Sequence, residues 1–340
     1  MKDLFTPYAI KNLNLKNRIV LSPMCQYSVE SKDGIATQWH YIHYVSRAIG
    51  GVGLIIMEVA AVEPRGCISD HDLGLWSDEQ IEPLKRIVDE CHKYGAKVAI
   101  QIGHAGRKAE CLQYPVAPST IQFDENSRIP RKLDTTEVTD VIEKFRLAVR
   151  RAVKAGFDCI ELHGAHGYLI HQFHSPLTNK RTDIYGKDLT KFGVEVIKAS
   201  KEEIPDDMPL LMRISATEYV NGGYSIYDGI KLASAYKEAG VDFFDISSGG
   251  EAPLVYAKPI NVHSAYQVPY ARIIKQELNV DVIAVGRLEE PEVANSVIGN
   301  GDADLVAIGR AMLKNPYWPL IASQKLGIKI EIPRQYKFGF

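Results

Sequence analysis

Three polar side chains within six residues, His163, His166 and Tyr168, are the first sign of chemistry in this 340-residue chain. They follow the apolar run from Phe157 to Leu162 and are spaced by Gly164 and Gly167. A buried strand ending in His-x-x-His-x-Tyr places two imidazoles and a phenol at one mouth of a sheet, where they can bind an anionic oxygen and pass a proton. The plainer alternative is a histidine-rich loop held by its own hydrogen bonds.

Other functional side chains also recur at the ends of apolar runs. Ser22-Pro23-Met24-Cys25-Gln26-Tyr27 ends one and Val59 another, while Gln101 ends a third and is followed by His104, Arg107 and Lys108. Arg213 closes the run Leu210-Leu211-Met212, and Ser247-Ser248-Gly249-Gly250 closes the next. Gly286-Arg287 and Gly309-Arg310 end the last two. Glycine lets backbone N–H groups approach a ligand, so two Gly-Arg pairs at matched places suit a phosphate. A buried guanidinium needs an anionic or polar partner, so Arg213 points to a ligand or to an ion pair with Glu58 or Glu161. Gln101 offers a donor and an acceptor to a heterocycle edge. Together these residues describe a phosphorylated ring cofactor better than a small sugar phosphate.

Eight strand-like runs must position them: Ile19–Met24, Val52–Glu58, Ala96–Ile102, Phe157–His163, Pro209–Ile214, Val241–Ser247, Val280–Gly286 and Asp304–Gly309. Nearly unbroken apolar runs suit strands covered on both faces, as in a parallel sheet. Between them the spacing predicts helices over Gln38–Ile49, Asp78–Tyr94, Glu137–Ala155, Leu189–Glu203, Ile226–Ala239, Ala265–Leu278, Pro291–Ile298 and Met312–Leu326. Eight strand–helix units without a linker predict an α/β fold, a single (β/α)8 TIM barrel over residues 1–340, with a long loop, Glu110–Asp134, after strand three. A pair of dinucleotide-binding domains is disfavoured, since no G-x-G-x-x-G follows a strand. In a barrel the site lies beyond the C-terminal ends of the strands.

Composition narrows the function. A net charge of −2, with signs mixed along the chain, gives no footing for nucleic acid or an anionic membrane. No apolar run approaches a membrane span, and the first residues lack a signal peptide's apolar stretch, so a cytoplasmic protein is expected. Five scattered cysteines without C-x-x-C suggest neither a metal site nor a disulfide framework.

The segments Leu15-Lys16-Asn17-Arg18-Ile19-Val20 with Ser22-Pro23-Met24-Cys25, Gln101-Ile102-Gly103-His104-Ala105-Gly106-Arg107, His163-Gly164-Ala165-His166-Gly167-Tyr168-Leu169 and Ser175-Pro176-Leu177-Thr178-Asn179-Lys180-Arg181-Thr182-Asp183 resemble the old yellow enzyme family. Cys25 and Tyr27 resemble its thermophilic-like class of bacterial NADPH-dependent FMN ene-reductases. The resemblance runs from Leu4 to near the C-terminus. It implies bound FMN, with Ser22, Pro23, Met24 and Val59 lining the flavin and Gln101 at its pyrimidine edge. It also implies Arg213 near N1, Gly286, Gly309 and Arg310 at the phosphate, and Cys25 tuning the potential. His163 and His166 would then bind the carbonyl or nitro oxygen of an activated alkene, with Tyr27 and Lys108 completing the substrate pocket. Hydride passes to the β-carbon and Tyr168 protonates the α-carbon, its ordinary pKa near ~10 keeping the proton available at neutral pH.

One departure concerns the tail. The class is expected to form homodimers or homotetramers in which a neighbour's C-terminal segment supplies an arginine to the site. Here Gln335-Tyr336-Lys337-Phe338-Gly339-Phe340 carries Phe338 at that place, leaving Arg334 or Lys337 as substitutes within an interface tail of about 327–340. Two alternatives stay open: a flavin-binding barrel with another electron acceptor, and a metal-dependent barrel hydrolase ligated by His163 and His166.

Overall fold

The long apolar runs become the staves of a closed cylinder. The computed structural model describes residues 2–253 and 261–340. Its eight main strands are β1 Ile19–Leu21, β2 Leu54–Ala61, β3 Lys97–Gly103, β4 Cys159–Gly164, β5 Leu210–Ser215, β6 Phe243–Ser247, β7 Asp281–Ala284 and β8 Leu305–Ile308. Each pairs in parallel with its neighbour in sequence, and β8 pairs with β1, which closes the barrel. The helices covering it are α1 Gln38–Ile49, α2 Ile81–Lys93, α3 Thr135–Lys154, α4 Lys191–Lys201, α5 Ile226–Ala239, α6 Val268–Leu278, α7 Pro291–Gly299 and α8 Trp318–Leu326. Helix α3 starts at Asp134, whose carboxylate accepts from the Glu137 N–H while Glu137 reaches back to the Asp134 N–H, satisfying two orphan donors.

Inside the barrel the alternation of side chains builds layers. The lower one is apolar: Val20, Leu54, Ile56, Ala99, Cys159, Leu211, Phe243, Ile283 and Leu305 pack with Tyr8, Leu13 and Leu15. The last three belong to an antiparallel hairpin, Tyr8–Ile10 with Leu13–Leu15, that sequence periodicity did not announce. The hairpin plugs the N-terminal end of the barrel, where Tyr8 Oη donates to Asp281 Oδ2 at 2.7 Å. One layer higher the interior turns polar, with Gln101 in register with Glu161 and Arg213 in register with Asp245.

Three expectations are corrected. The helix expected over Met312–Leu326 is two, Arg310–Lys314 and α8. Pro316 cannot continue a helical turn, and it holds Asn315 extended at φ −144° and ψ 105°. The helix expected from Ala265 starts at Val268, because Ala265 lies in the left-handed region at φ 62°. Strand β1 ends at Leu21, so Ser22 to Tyr27 form a loop over the barrel mouth. The segment Glu110–Asp134 is largely irregular, pinned by a two-residue parallel pair, Val116–Ala117 with Arg131–Lys132. No helix among the described residues is long and apolar enough to cross a membrane.

Candidate active site

A cleft of about 720 Å3 opens at the C-terminal mouth of the barrel. It is lined by Ser22, Pro23, Met24 and Cys25 after β1, Val59 on β2, Gln101 on β3, and His163, His166 and Tyr168 from β4 and its loop. Arg213 on β5, Gly286 and Arg287 after β7, and Gly309 and Arg310 after β8 complete the circuit. Tyr27 and Lys108 do not line the cleft itself. Tyr27 stands half-exposed at the rim, and the Lys108 ammonium lies 5.1 Å from the centre of the Tyr168 ring.

The two imidazoles and the phenol meet as their spacing suggested. Their ring centroids are 4.7 Å apart for His163 and Tyr168 and 5.4 Å for His163 and His166. His166 and Gly167 both take left-handed backbone, at φ 57° and 74°, which turns the chain sharply between the second histidine and the tyrosine. A side chain at Gly167 would collide with the Gly250 carbonyl oxygen, 2.4 Å from where its Cβ would sit.

Burial, reinforced by the nearby Arg213 charge, holds both imidazoles well below the ordinary histidine range, so each is neutral at pH 7. His163 Nδ1 accepts from the Ala165 N–H at 3.3 Å, which leaves the ring proton on Nε2. His166 Nε2 lies 2.7 Å from Ser247 Oγ, a partner the sequence did not single out. Burial also raises the Tyr168 phenol above its usual value, so the proton is held more firmly than an unperturbed tyrosine would hold it. Cys25 is pushed up to about 12 by burial and stays a thiol.

Arg213 finds neither of the partners named from sequence. Its Nε lies 3.2 Å from Asp245 Oδ2, while Glu161 accepts from Gln101 Nε2 at 2.7 Å. Glu58 faces away from the cleft, accepting from the Tyr44 hydroxyl at 2.9 Å and the Gln26 N–H at 2.7 Å. The β2 register shifts between Met57 and Val59, which turns Val59 rather than Glu58 toward the cleft.

The far end of the cleft is cationic. Arg287 pairs with Glu289 at 2.7 Å, but Arg310 and Lys314 have no acidic partner among the described residues. Lys314 escaped the sequence reading, although it follows Arg310 by four residues and so shares its helical face. Ile68 and Trp318 also line the cleft without a motif to mark them. Gly286 takes φ +116°, and a Cβ there would lie 2.8 Å from Gln267 Nε2. A phosphate at this end would meet two unpaired cations and open backbone, a planar ring would span the apolar Met24 and Val59, and Gln101 and Arg213 would meet its polar edge. The donor set fits FMN.

His163 and His166 do not gather carboxylates about them. Among the described residues, the histidine and carboxylate atoms close enough to share an ion are those of His171, Glu218 and Glu251. Arg334 lines a separate cavity of about 620 Å3 with Lys16, Gly51 and Gly95, which precede β1, β2 and β3, so it lies at the opposite end from its own cleft. Phe338 is fully exposed.

Comparison with known proteins agrees with the fold. An NADPH dehydrogenase of Listeria monocytogenes serotype 4a (strain HCC23) is 49% identical over 339 residues, covering 99% of this chain and 98% of that protein. An NADPH dehydrogenase of Geobacillus thermodenitrificans (strain NG80-2) is 46% identical over 340 residues, with the same coverage. Morphinone reductase, solved in complex with tetrahydroNAD, superposes with a TM-score of 0.81 at 26% identity over 99% of this chain and 94% of its own. A 2-naphthoyl-CoA reductase shares the fold, with a TM-score of 0.89 at 24% identity; this chain covers 52% of that one. Residues 3–328 match the family as a whole, and the chain belongs to the NADH:flavin oxidoreductase / NADH oxidase family.

Proposed function

We propose that this protein is an NADPH-dependent FMN ene-reductase acting on α,β-unsaturated carbonyl compounds or nitroalkenes. FMN, when bound, would supply the hydride chemistry that links NADPH to the alkene's β-carbon. Support for NADPH comes from the names of the Listeria and Geobacillus relatives. Support for the alkene comes from one observation: two neutral imidazoles and a protonated phenol converge on one cleft.

In this reading His163 donates its Nε2–H to the substrate's carbonyl or nitro oxygen. His166 does the same from Nδ1. This requires the Ser247 hydroxyl to turn from Gln267 Oε1, 3.3 Å away, and donate to Nε2 at 2.7 Å, leaving Ser248 as the donor to Gln267. Two neutral donors stabilise the negative charge that develops on that oxygen as the β-carbon accepts hydride. Tyr168 then gives its proton to the α-carbon as general acid. Gln101 and Arg213 hold the polar edge of the cofactor, and Gly286, Gly309, Arg310 and Lys314 its phosphate. The ammonium of Lys108 braces the Tyr168 ring, and Tyr27 closes the rim. NADPH leaves before the alkene enters. A homodimer or homotetramer is part of the reading, supported by the exposed Phe338 on a tail that does not reach its own cleft.

The test is an anaerobic absorption spectrum before and after NADPH, then after cyclohexenone. A flavin band that bleaches with NADPH and returns with the enone carries the reading. Bleaching without reoxidation leaves the flavin site standing and removes the alkene.

A further inference from the structure

Both backbone groups of Gly167, the residue between His166 and Tyr168, are held by buried side chains. Its C=O accepts from Gln172 Nε2 at 2.7 Å, and its N–H donates to His171 Nδ1 at 3.1 Å. Neither His171 nor Gln172 has any solvent exposure. The second nitrogen of His171, Nε2, lies 3.0 Å from Glu218 Oε1 and 3.6 Å from Glu251 Oε2. Glu218 is fixed in turn by the Tyr224 N–H at 2.8 Å, and Glu251 by Arg107 Nη2 at 3.0 Å.

The hydrogen bond from Gly167 decides what this cluster is. An imidazole nitrogen that accepts from an N–H carries a lone pair, so the ring proton is on Nε2, aimed at Glu218. A metal at Nε2 would force the proton onto Nδ1, against the Gly167 N–H, setting two donors face to face. The His171, Glu218 and Glu251 cluster is therefore a hydrogen-bonded brace and not a cation site.

We infer that His171, its tautomer set by Glu218, is the positioning residue that fixes the turn carrying His166 and Tyr168 over the cleft. The brace ties four consecutive loops: Arg107 follows β3, His171 follows β4, Glu218 follows β5 and Glu251 follows β6. Gln172 adds to it, accepting from the Arg107 N–H at 3.2 Å while it donates to Gly167. Tyr168 follows the left-handed pair of His166 and Gly167 as the N-cap of the short helix Leu169–His174, the helix that carries His171 and Gln172. Holding the glycine at both its donor and its acceptor sets where the phenol points. The inference rests on the proposed substrate-binding role of that turn.

Two substitutions separate this role from simple packing. In His171→Asn the side-chain Oδ1 occupies the place of Nδ1 and still accepts from Gly167. In His171→Leu no acceptor remains. Both lose the Nε2 hydrogen bond to Glu218, so that loss cancels between them. The readout is the affinity of the FMN-loaded protein for p-hydroxybenzaldehyde, followed by the flavin absorption change, with FMN affinity measured in parallel. The leucine variant is expected to bind the phenol about tenfold or more weakly than the asparagine variant, as an unsatisfied buried donor implies, with FMN affinity equal in the two. Equal phenol affinities overturn the inference. A second arm uses the wild-type protein, whose 15N-histidine spectrum is expected to show His171 neutral and protonated at Nε2; a proton on Nδ1 overturns it without any variant having to fold. If the wild type binds no phenol at all, the proposed function fails, and the ring spectrum still judges the tautomer.

Discussion

His163 and Tyr168 meet edge to face, their ring centroids 4.7 Å apart and their planes 70° from parallel. The contact sets a hydrogen-bond donor and a proton source side by side, with burial moving each pKa from its ordinary value toward the neutral form: the imidazole's down, the phenol's up. Both are therefore uncharged at the moment of reaction.

If the phenol is the proton source, Tyr168→Phe slows reoxidation of the enzyme by cyclohexenone by about 10²-fold or more, the usual scale of general acid catalysis. Bleaching by NADPH, which needs no such proton, stays close to wild type. Stopped-flow measurement of the two half-reactions decides, and equal losses in both would remove Tyr168 from the role.

The paired imidazoles make a separate prediction. His163→Ala and His166→Ala each weaken phenolic ligands by roughly tenfold, the loss of one hydrogen bond to a charged oxygen. Ser247→Ala weakens them through His166 alone, so adding it to His166→Ala costs nothing further. A double-mutant cycle on phenol affinity checks this.

At the other end of the cleft, Arg310→Ala with Lys314→Ala lowers FMN affinity by about tenfold or more, since charge-assisted hydrogen bonds are the strong ones. Riboflavin affinity changes little. Titrating both ligands tests the phosphate assignment directly, because a general distortion of the cleft would weaken both equally.

Arg213 and Asp245 predict a stability effect that needs no cofactor. Arg213→Met leaves Asp245 buried without its cation and destabilises the protein by roughly 3 kcal/mol. Adding Asp245→Asn recovers most of that stability but not the affinity for FMN. Chemical denaturation and flavin titration of the single and double variants separate the two functions of the arginine.

Glu58 makes stability depend on pH. Burial raises its carboxyl to about 8, so the folded protein keeps a proton that the unfolded chain releases near the ordinary carboxylate value. Its contribution is fully present below about pH 4.5 and is lost as pH rises through 8, at no more than about 1.4 kcal/mol per pH unit. Glu58→Gln removes this dependence, so the wild type falls relative to the variant between pH 5 and 9. Parallel denaturation curves for the two proteins at every pH would contradict the assignment.

Much of the site was legible because barrel geometry turns strand ends into a list. His163, Gln101, Arg213 and the two Gly-Arg pairs sit where uninterrupted apolar runs stop, and that alone brings them to one mouth. What stayed hidden depends on distance in three dimensions. Asp245 reads as one more residue of an apolar run, and only the β5–β6 register puts it beside Arg213. Ser247 was visible as a strand end but not as the partner of His166. The plugging hairpin is too short for periodicity to detect. The break at Pro316 was readable from the sequence, and the expected helix ran through it against the ordinary rule for proline.

The hairpin at the barrel's base has a kinetic meaning. With Tyr8, Leu13 and Leu15 packed into the lower layer, that end offers reactants no passage. In the proposed reaction nicotinamide and alkene must then share a single doorway in turn. Initial-rate plots would give parallel double-reciprocal lines, and each reactant in excess would inhibit by occupying the form of the enzyme meant for the other.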